Sequence, residues 1–240
     1  IKTLPSSKDQ KFCITYKTFI SNLFEYRTKN PSDFIFPFEG KRIFAIGESH
    51  AIGLNELRVD RINNVFRIET LPVIGCKAWH LGTTKKNRFK SSFTHAINKL
   101  SSGSKCLFVV GEIDCRTDEG IIKHHLDTQN SLECIIEKTV SNYIGFIEEV
   151  ILNKKLEVIV AGVAAPLALE RSDPRKNLQE QYQLNVVRLY NDVLKSACRF
   201  LDYQFLDVYN ETVDDNGYAI PECFLDGRHL KPTLYQNLLT

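Results

Sequence analysis

The chain has 240 residues, of which 43% are hydrophobic and 25% charged, and its formal net charge is +2. This is ordinary globular composition, and the length suits one large domain with or without an extension. A near-neutral balance supplies no basic footprint for nucleic acid, and no apolar run approaches the roughly 20 residues that span a bilayer.

Residues 1–40 are expected to form an N-terminal helical extension. "FCITYKTFISNLFEYRTK" carries apolar residues at helical spacing, and "NPSDFIFPFEGK" then breaks the pattern at Pro31 and Pro37. Residues 41–240 read as a second unit in which strands and helices alternate. "RIFAIG" is a buried strand, "PVIGCKAWHLG" a less regular second, "KCLFVVGEID" a third, "LEVIVAGVA" a fourth and "YQFLDVY" a fifth. Continuous apolar runs of this kind suit strands covered on both faces. "NRFKSSFTHAINKL", "SLECIIEKTVSNYIGFIEEVILNKK" and "LQEQYQLNVVRLYNDVLKSACRFL" are the intervening helices, and "KPTLYQNLL" is a short last one. "ERSDPRKN", Glu170 to Asn177, reads as an exposed loop. The basic run Thr83–Lys90 reads as a solvated helix start, or as a grip on an anionic substrate.

The alternation implies an α/β fold, a doubly wound parallel sheet of about five strands with helices on both faces. In such folds ligands bind beyond the carboxyl ends of the strands. Three places qualify: "GESH" after the first strand, "GEIDCR" after the third, and "FLDGRHLKP" near the end. The seven cysteines are odd in number and contain no CxxC pair, which fits reduced thiols and a cytoplasmic protein. The start, "IKTLPSSKDQKF", lacks the apolar segment of a signal peptide. No metal site is expected, since no paired ligand spacing is present.

Ser49 follows a glycine at the end of a buried strand. It reads either as a nucleophile at the top of the sheet or as a helix N-cap, a favoured role of serine. Asp226 and His229 lie three residues apart in "DGRH". They read either as a base with its orienting carboxylate or as an Asx-type turn beside an unrelated histidine. His50 reads as a pocket-wall or core histidine. His124 and His125 read as a polar helix face, and Trp79 and His80 as pocket lining.

Taken together, "GESH", "LGTT", "GEID" and "DGRHL" resemble, in order, the four blocks of the SGNH (GDSL-type) hydrolase superfamily. The resemblance covers about residues 41 to 235. It implies a three-layer α/β fold, Ser49 as nucleophile, His229 as general base and Asp226 as its partner, with Gly82 offering a backbone N–H to the oxyanion. Two positions depart from the family pattern. Glu48 stands where the family has aspartate, and Ile113 stands where it has an asparagine that donates to the oxyanion. Losing one such donor costs roughly 3 kcal/mol in the transition state. Arg116, in the same loop and rich in donors, is the candidate replacement, while Glu112 and Asp114 shape the pocket or cap the loop.

The resemblance implies an acyl-ester enzyme working through a covalent acyl-serine, an esterase or an O-acetyltransferase. The preferred substrate is an O-acetyl group of a carbohydrate, because no apolar lid segment argues for a lipase. No cofactor is required, though acetyl-CoA would serve as acyl donor to a transferase. The expected partner is a small-molecule or glycan acyl ester, with no nucleic acid and no membrane span. The alternative is a weak or inactive SGNH-fold binding module of a larger polysaccharide-handling protein, for which Ile113 is the best support.

Overall fold

The computed structural model describes residues 7–34, 40–61, 64–168 and 174–240. Its centre is a six-stranded sheet in the order β2-β3-β1-β4-β5-β6. The strands are β1 (Lys41–Gly47), β2 (Arg58–Arg61), β3 (Asn64–Pro72), β4 (Lys105–Val109), β5 (Glu157–Ala161) and β6 (Gln204–Leu206). All neighbours run parallel except the edge strand β2, which is antiparallel to β3.

The apolar runs of β1, β4 and β5 are continuous because each serves two cores. Ile43 and Ala45, Leu107 and Val109, and Ile159 and Ala161 face one core, with Leu54, Tyr235 and Leu239. Ile46, Cys106, Phe108, Val158 and Val160 face the other, with Phe93, Ile136, Tyr143 and Tyr190. The first core is closed by α2 (Ser49–Gly53), α8 (Val208–Thr212) and α9 (Pro232–Leu239). The second is closed by α3 (Ala78–Gly82), α4 (Arg88–Asn98), α5 (Ile121–Thr128), α6 (Leu132–Ile151) and α7 (Pro174–Phe200). This is the three-layer α/β arrangement expected. The preceding helix, α1, spans Ser7–Lys29.

One strand expectation is corrected. "PVIGCKAWHLG" is not a strand: β3 ends at Pro72, and Ala78–Gly82 is the single-turn helix α3. The true strands, β2 and β3, lie upstream in "RVDRINNVFRIETLP". Phe66 and Ile68 point into the first core, while the alternate positions Arg67 and Glu69 carry charge. Arg67 pairs with Glu56 at 2.9 Å and Glu69 with Arg42 at 3.0 Å. Phe66 and Ile68 alternating with Arg67 and Glu69 is the period of two of a half-buried strand, unlike the continuous apolar runs of β1, β4 and β5. Of the expected loop Glu170–Asn177, residues up to 173 lie outside the described residues, and α7 begins at Pro174, a favoured first helical residue. The basic run Thr83–Lys90 does lead into a helix, with Asn87 capping α4 through bonds from the Phe89 and Lys90 N–H groups.

The sheet places the site. β1 pairs with β3 on one side and with β4 on the other, so the chain winds away in opposite directions from the gap between β1 and β4. Such a switch point opens a crevice at the carboxyl ends of the strands.

Candidate active site

β1 ends in a close approach. The Gly47 carbonyl accepts from the Val73 N–H at 2.6 Å, and the Glu48 N–H donates to the Val109 carbonyl at 3.1 Å. A Cβ on Gly47 would lie 2.0 Å from that same oxygen. Only glycine lets β1 and β4 converge here, and the convergence points the next residues out of the top of the sheet.

Glu48 takes the N-cap of α2, accepting from the His50 N–H at 3.3 Å. Ser49 is therefore the first helical residue rather than the cap. Its Oγ donates to Glu48 Oε2 at 2.7 Å and lies 3.1 Å from His229 Nε2. His229 Nδ1 bonds Asp226 Oδ2 at 2.9 Å and Oδ1 at 3.1 Å. Asp226 Oδ1 also accepts the Arg228 and His229 N–H groups, each at 2.7 Å. The Asx-type turn and the carboxylate–imidazole pair are thus both present, because the turn sets the carboxylate beside the ring. Burial pushes the Asp226 carboxyl up, and the bonds from His229 outweigh it, holding the group below its ordinary range. Since Asp226 accepts at Nδ1, that nitrogen carries a proton, and Nε2 is left to exchange one with Ser49. A hydroxyl has one proton, so Ser49 serves either Glu48 or His229 at a given moment.

His50 has a separate task. Its Nδ1 faces Glu48 Oε1 at 2.6 Å and its Nε2 faces the Arg228 carbonyl at 2.9 Å. Two acceptors require two N–H groups, so the ring is an imidazolium. Burial pushes its pKa down, but the Glu48 charge and hydrogen bond pull it well above the ordinary value. The same pair acts in reverse on Glu48, where the His50 charge overcomes burial and holds the carboxyl low. Glu48, His50 and Glu112 bring one potential ligand atom each within 4.8 Å of one another. A metal there would need an imidazole lone pair, and both are occupied by protons in these bonds.

The helix α1 completes the site. Phe19 is fully buried, and its ring stacks on that of His229 at 3.8 Å with an interplanar angle of 17°. One turn earlier, burial pushes the half-buried Tyr16 phenol above its ordinary value, and the nearby Glu48 charge adds to the push. Asn22 Nδ2 donates to the Leu225 carbonyl at 2.8 Å, and the Tyr26 and Thr233 hydroxyls bond at 2.7 Å. Ser49 and His229 are 4% and 3% exposed under this cover. Their chain neighbours Glu48, His50 and Arg228 line a cleft of about 170 Å³ together with Glu112, Arg116 and the segment Gly162–Leu167, and Ser49 and His229 themselves are not part of that lining.

No protein-family model and no curated protein matches the sequence. Solved structures do match. A Streptococcus pneumonia protein named provisionally as a platelet activating factor aligns over 98% of this chain and 96% of its own, with 13% identity and a TM-score of 0.50. The extracellular lipase of Streptomyces rimosus aligns over 83% of this chain and 98% of its own, with 12% identity and a TM-score of 0.50. A GDSL-like lipase of Bacteroides thetaiotaomicron aligns over 91% and 95%, with 14% identity and a TM-score of 0.49. The chain has the SGNH-hydrolase fold.

Within the SGNH fold, three of the expected site residues are placed differently. Gly82, expected to supply an oxyanion donor, is the last residue of α3, and a Cβ there would meet Asn142 of α6 at 2.6 Å. It is a packing glycine, in a hollow with Trp79 and Asn142 that contains none of Ser49, Asp226 or His229. The glycine that directly follows β3 is Gly75, in a turn at φ +73°. Arg116, expected near the oxyanion, is committed to other carboxylates. Its Nε donates to both Glu112 oxygens at 3.0 Å, Nη2 to Glu112 at 2.6 Å and Nη1 to Glu119 at 3.3 Å. Asp114 caps α3, accepting the Ala78 and Trp79 N–H groups at 2.7 and 3.1 Å. Burial pushes its carboxyl up to about 6 against the pull of those two bonds. Glu112 remains at the cleft, joined to Arg116. Trp79 is 58% exposed, and His80 stacks on Phe89 instead of lining the cleft.

Proposed function

We propose that this protein is a serine-dependent acyl-ester enzyme. The single observation that carries the reading is the unbroken series from Ser49 Oγ through His229 to the Asp226 carboxylate, at the switch point of the sheet. Ser49 Oγ attacks the acyl carbon while His229 Nε2 takes its proton, and the carbonyl π pair moves to oxygen. The tetrahedral species collapses, the C–O bond to the alcohol breaks, and His229 returns the proton to the leaving oxygen. Water or an acceptor hydroxyl then repeats the sequence on the acyl-serine, giving hydrolysis or transfer. The Ser49 N–H, one of the unpaired donors of a helix's first turn, is a natural oxyanion partner. The turn at Gly75 replaces Gly82 as the second backbone candidate.

Among acyl esters we favour O-acetyl groups of a carbohydrate, with acetyl-CoA as donor in the transferase variant. The small, mixed polar cleft beside Glu48, Glu112 and Arg116 supports a hydroxylated substrate over a long acyl chain. Turnover of p-nitrophenyl acetate, lost in Ser49→Ala and in His229→Ala, is the expected result. Activity that survives both substitutions would remove the reading. Addition of acetyl-CoA and an acceptor glycan separates transfer from hydrolysis. The binding-module alternative draws on Ile113, which is 7% exposed and has no donor. It is favoured if the wild type neither turns over the ester nor reacts at Ser49 with a fluorophosphonate.

A further inference from the structure

Ser49 and His229, which exchange a proton in the acyl-ester reading, lie 180 residues apart in the chain, yet Oγ and Nε2 stand 3.1 Å apart. So short a separation, between the start of α2 and the turn before α9, needs something to hold the two segments in register. His50 spans them. Its Nδ1 bonds Glu48 Oε1 at 2.6 Å, and its Nε2 bonds the Arg228 carbonyl at 2.9 Å. Glu48 immediately precedes Ser49, and Arg228 immediately precedes His229. One imidazole ring therefore joins the chain neighbours of nucleophile and base. We propose that His50 is a positioning residue that brackets the serine turn to the histidine turn and fixes the distance from Ser49 Oγ to His229 Nε2. This rests on the acyl-ester reading above.

The contacts close on themselves. Ser49 Oγ bonds Glu48 Oε2 at 2.7 Å, the other Glu48 oxygen bonds His50, His50 bonds the Arg228 carbonyl, and His229 returns to Ser49. A series of contacts with free ends lets its members drift, whereas a closed one moves only if every link gives. Glu48, Ser49, His50 and His229 are all buried, where a hydrogen bond to a charged group is strong and an unmet one is costly. The His50 ring lies 5.1 Å from that of His229, tilted by 38°. Both nitrogens of His229 are already taken, by Asp226 and Ser49. His50 therefore acts on the base through the Arg228 backbone and on the serine through Glu48.

The bracket holds only while both ring nitrogens carry protons, because a neutral imidazole has one N–H for two acceptors. Four groups face the ring: the Glu48 carboxylate, the Arg228 carbonyl, the His229 ring, and the Glu112 carboxylate of the loop after β4, itself paired with Arg116. Burial works against the charge, and the two carboxylates and the carbonyl outweigh it, holding the second proton up to about 9. A neutral amide cannot repeat the arrangement. It offers N–H at one end and oxygen at the other, so a glutamine here meets one acceptor and turns its own oxygen on the next.

The test is His50→Gln in the full chain, assayed on p-nitrophenyl acetate after subtraction of the uncatalysed rate. Expressing kcat per serine titrated by a fluorophosphonate leaves misfolded molecules uncounted. The expected result is a fall in kcat of about 10²-fold, the cost of roughly 1 Å of misplacement at a reacting centre, with little change in KM. The pH profile supplies a readout that packing alone would not move. Wild-type kcat should decline as pH rises through about 9, where the ring loses its second donor, and His50→Gln should lack that decline. A kcat within threefold of wild type overturns the proposal, and so does an alkaline decline that persists in the variant. A raised KM at unchanged kcat also overturns it, since His50 would then be a cleft wall that touches substrate. If His50→Gln yields no titratable serine, the wild type decides: a decline through about 9 supports the bracket, and a kcat flat between about pH 7 and about pH 10 overturns it. If the wild type shows no Ser49-dependent turnover, the acyl-ester reading fails and takes this one with it. If turnover depends on Ser49 and not on His50, the reading stands and this assignment alone is lost.

Discussion

Gly47→Ala tests the construction of the site without reference to its chemistry. The new methyl would sit 2.0 Å from the Val109 oxygen, 2.7 Å from its carbon and 3.0 Å from its Cα. Ordinary non-bonded contact lies at roughly 3.5 Å, so the strands must part by more than an ångström. No flexible side chain can yield, because all three obstructing atoms are backbone in a central strand. Parting also weakens the bond from Glu48 N–H to the same carbonyl. Overpacking of this kind costs about 1–3 kcal/mol and sometimes more, and a rigid backbone obstacle belongs at the upper end. For a chain of this size about 3 kcal/mol lowers Tm by roughly 6–12 °C. Differential scanning calorimetry of the purified variant reads it directly. Because Glu48 and Ser49 follow at once, ester turnover should fall further than the loss of folded protein explains. A Tm within about 2 °C of wild type would refute the claim that β1 and β4 converge at this glycine.

Three further outcomes are expected. His50→Gln removes the imidazolium that faces Glu48. The folded pKa of His50 is raised from its ordinary 6.5, so its stabilisation is full below that value and fades as pH rises towards about 9. The Tm deficit of the variant should therefore be large at about pH 6 and shrink in alkali, and a deficit that grows in alkali would contradict the pairing. Tyr143→Phe removes a fully buried hydroxyl that has no partner among the described residues. Stability should hold or rise by about 1 kcal/mol, whereas a clear fall in the urea midpoint would reveal a partner. Phe19→Ala should cost about 3 kcal/mol in a urea melt, at the low end for a buried aromatic because only one face of α1 is packed. Trypsin should then cut at Lys17 and Lys29 faster than in wild type, and an unchanged cutting rate would mean that α1 is not held through this ring.

Some of this was legible in the sequence, and the physical reason differs from element to element. β1, β4 and β5 announced themselves because burial on two faces leaves no polar positions to confuse the pattern. β3 lacks such a run: Phe66 and Ile68 alternate with Arg67 and Glu69, so its signal is a period of two and not continuous apolar character. Ser49, Asp226 and His229 were each ambiguous alone, and the structure shows why: Asp226 holds a turn and a ring at once. Gly75 and Gly82 flank the same stretch, and only the end of β3 at Pro72 shows that Gly75 is the one that follows the strand directly. Arg116 drew attention for its donors, yet Glu112 and Glu119 stand four and three residues away and take them. Phe19 gave no signal at all. An aromatic residue on a helix reads as core packing, and its target lies far along the chain.

Ser49 and His229 are 180 residues apart in sequence, and α1 reaches the same spot from the other side. Synthesis delivers these parts at very different times. A growing chain would have Ser49, its covering helix and most of its sheet on hand while Asp226 and His229 were still inside the ribosome. Ser49 therefore gains its imidazole partner only when the turn around Asp226 emerges and docks. By the same reasoning, a protease that clipped between Asp226 and α8 would cut the covalent link from Ser49 to His229 while leaving most of the core intact.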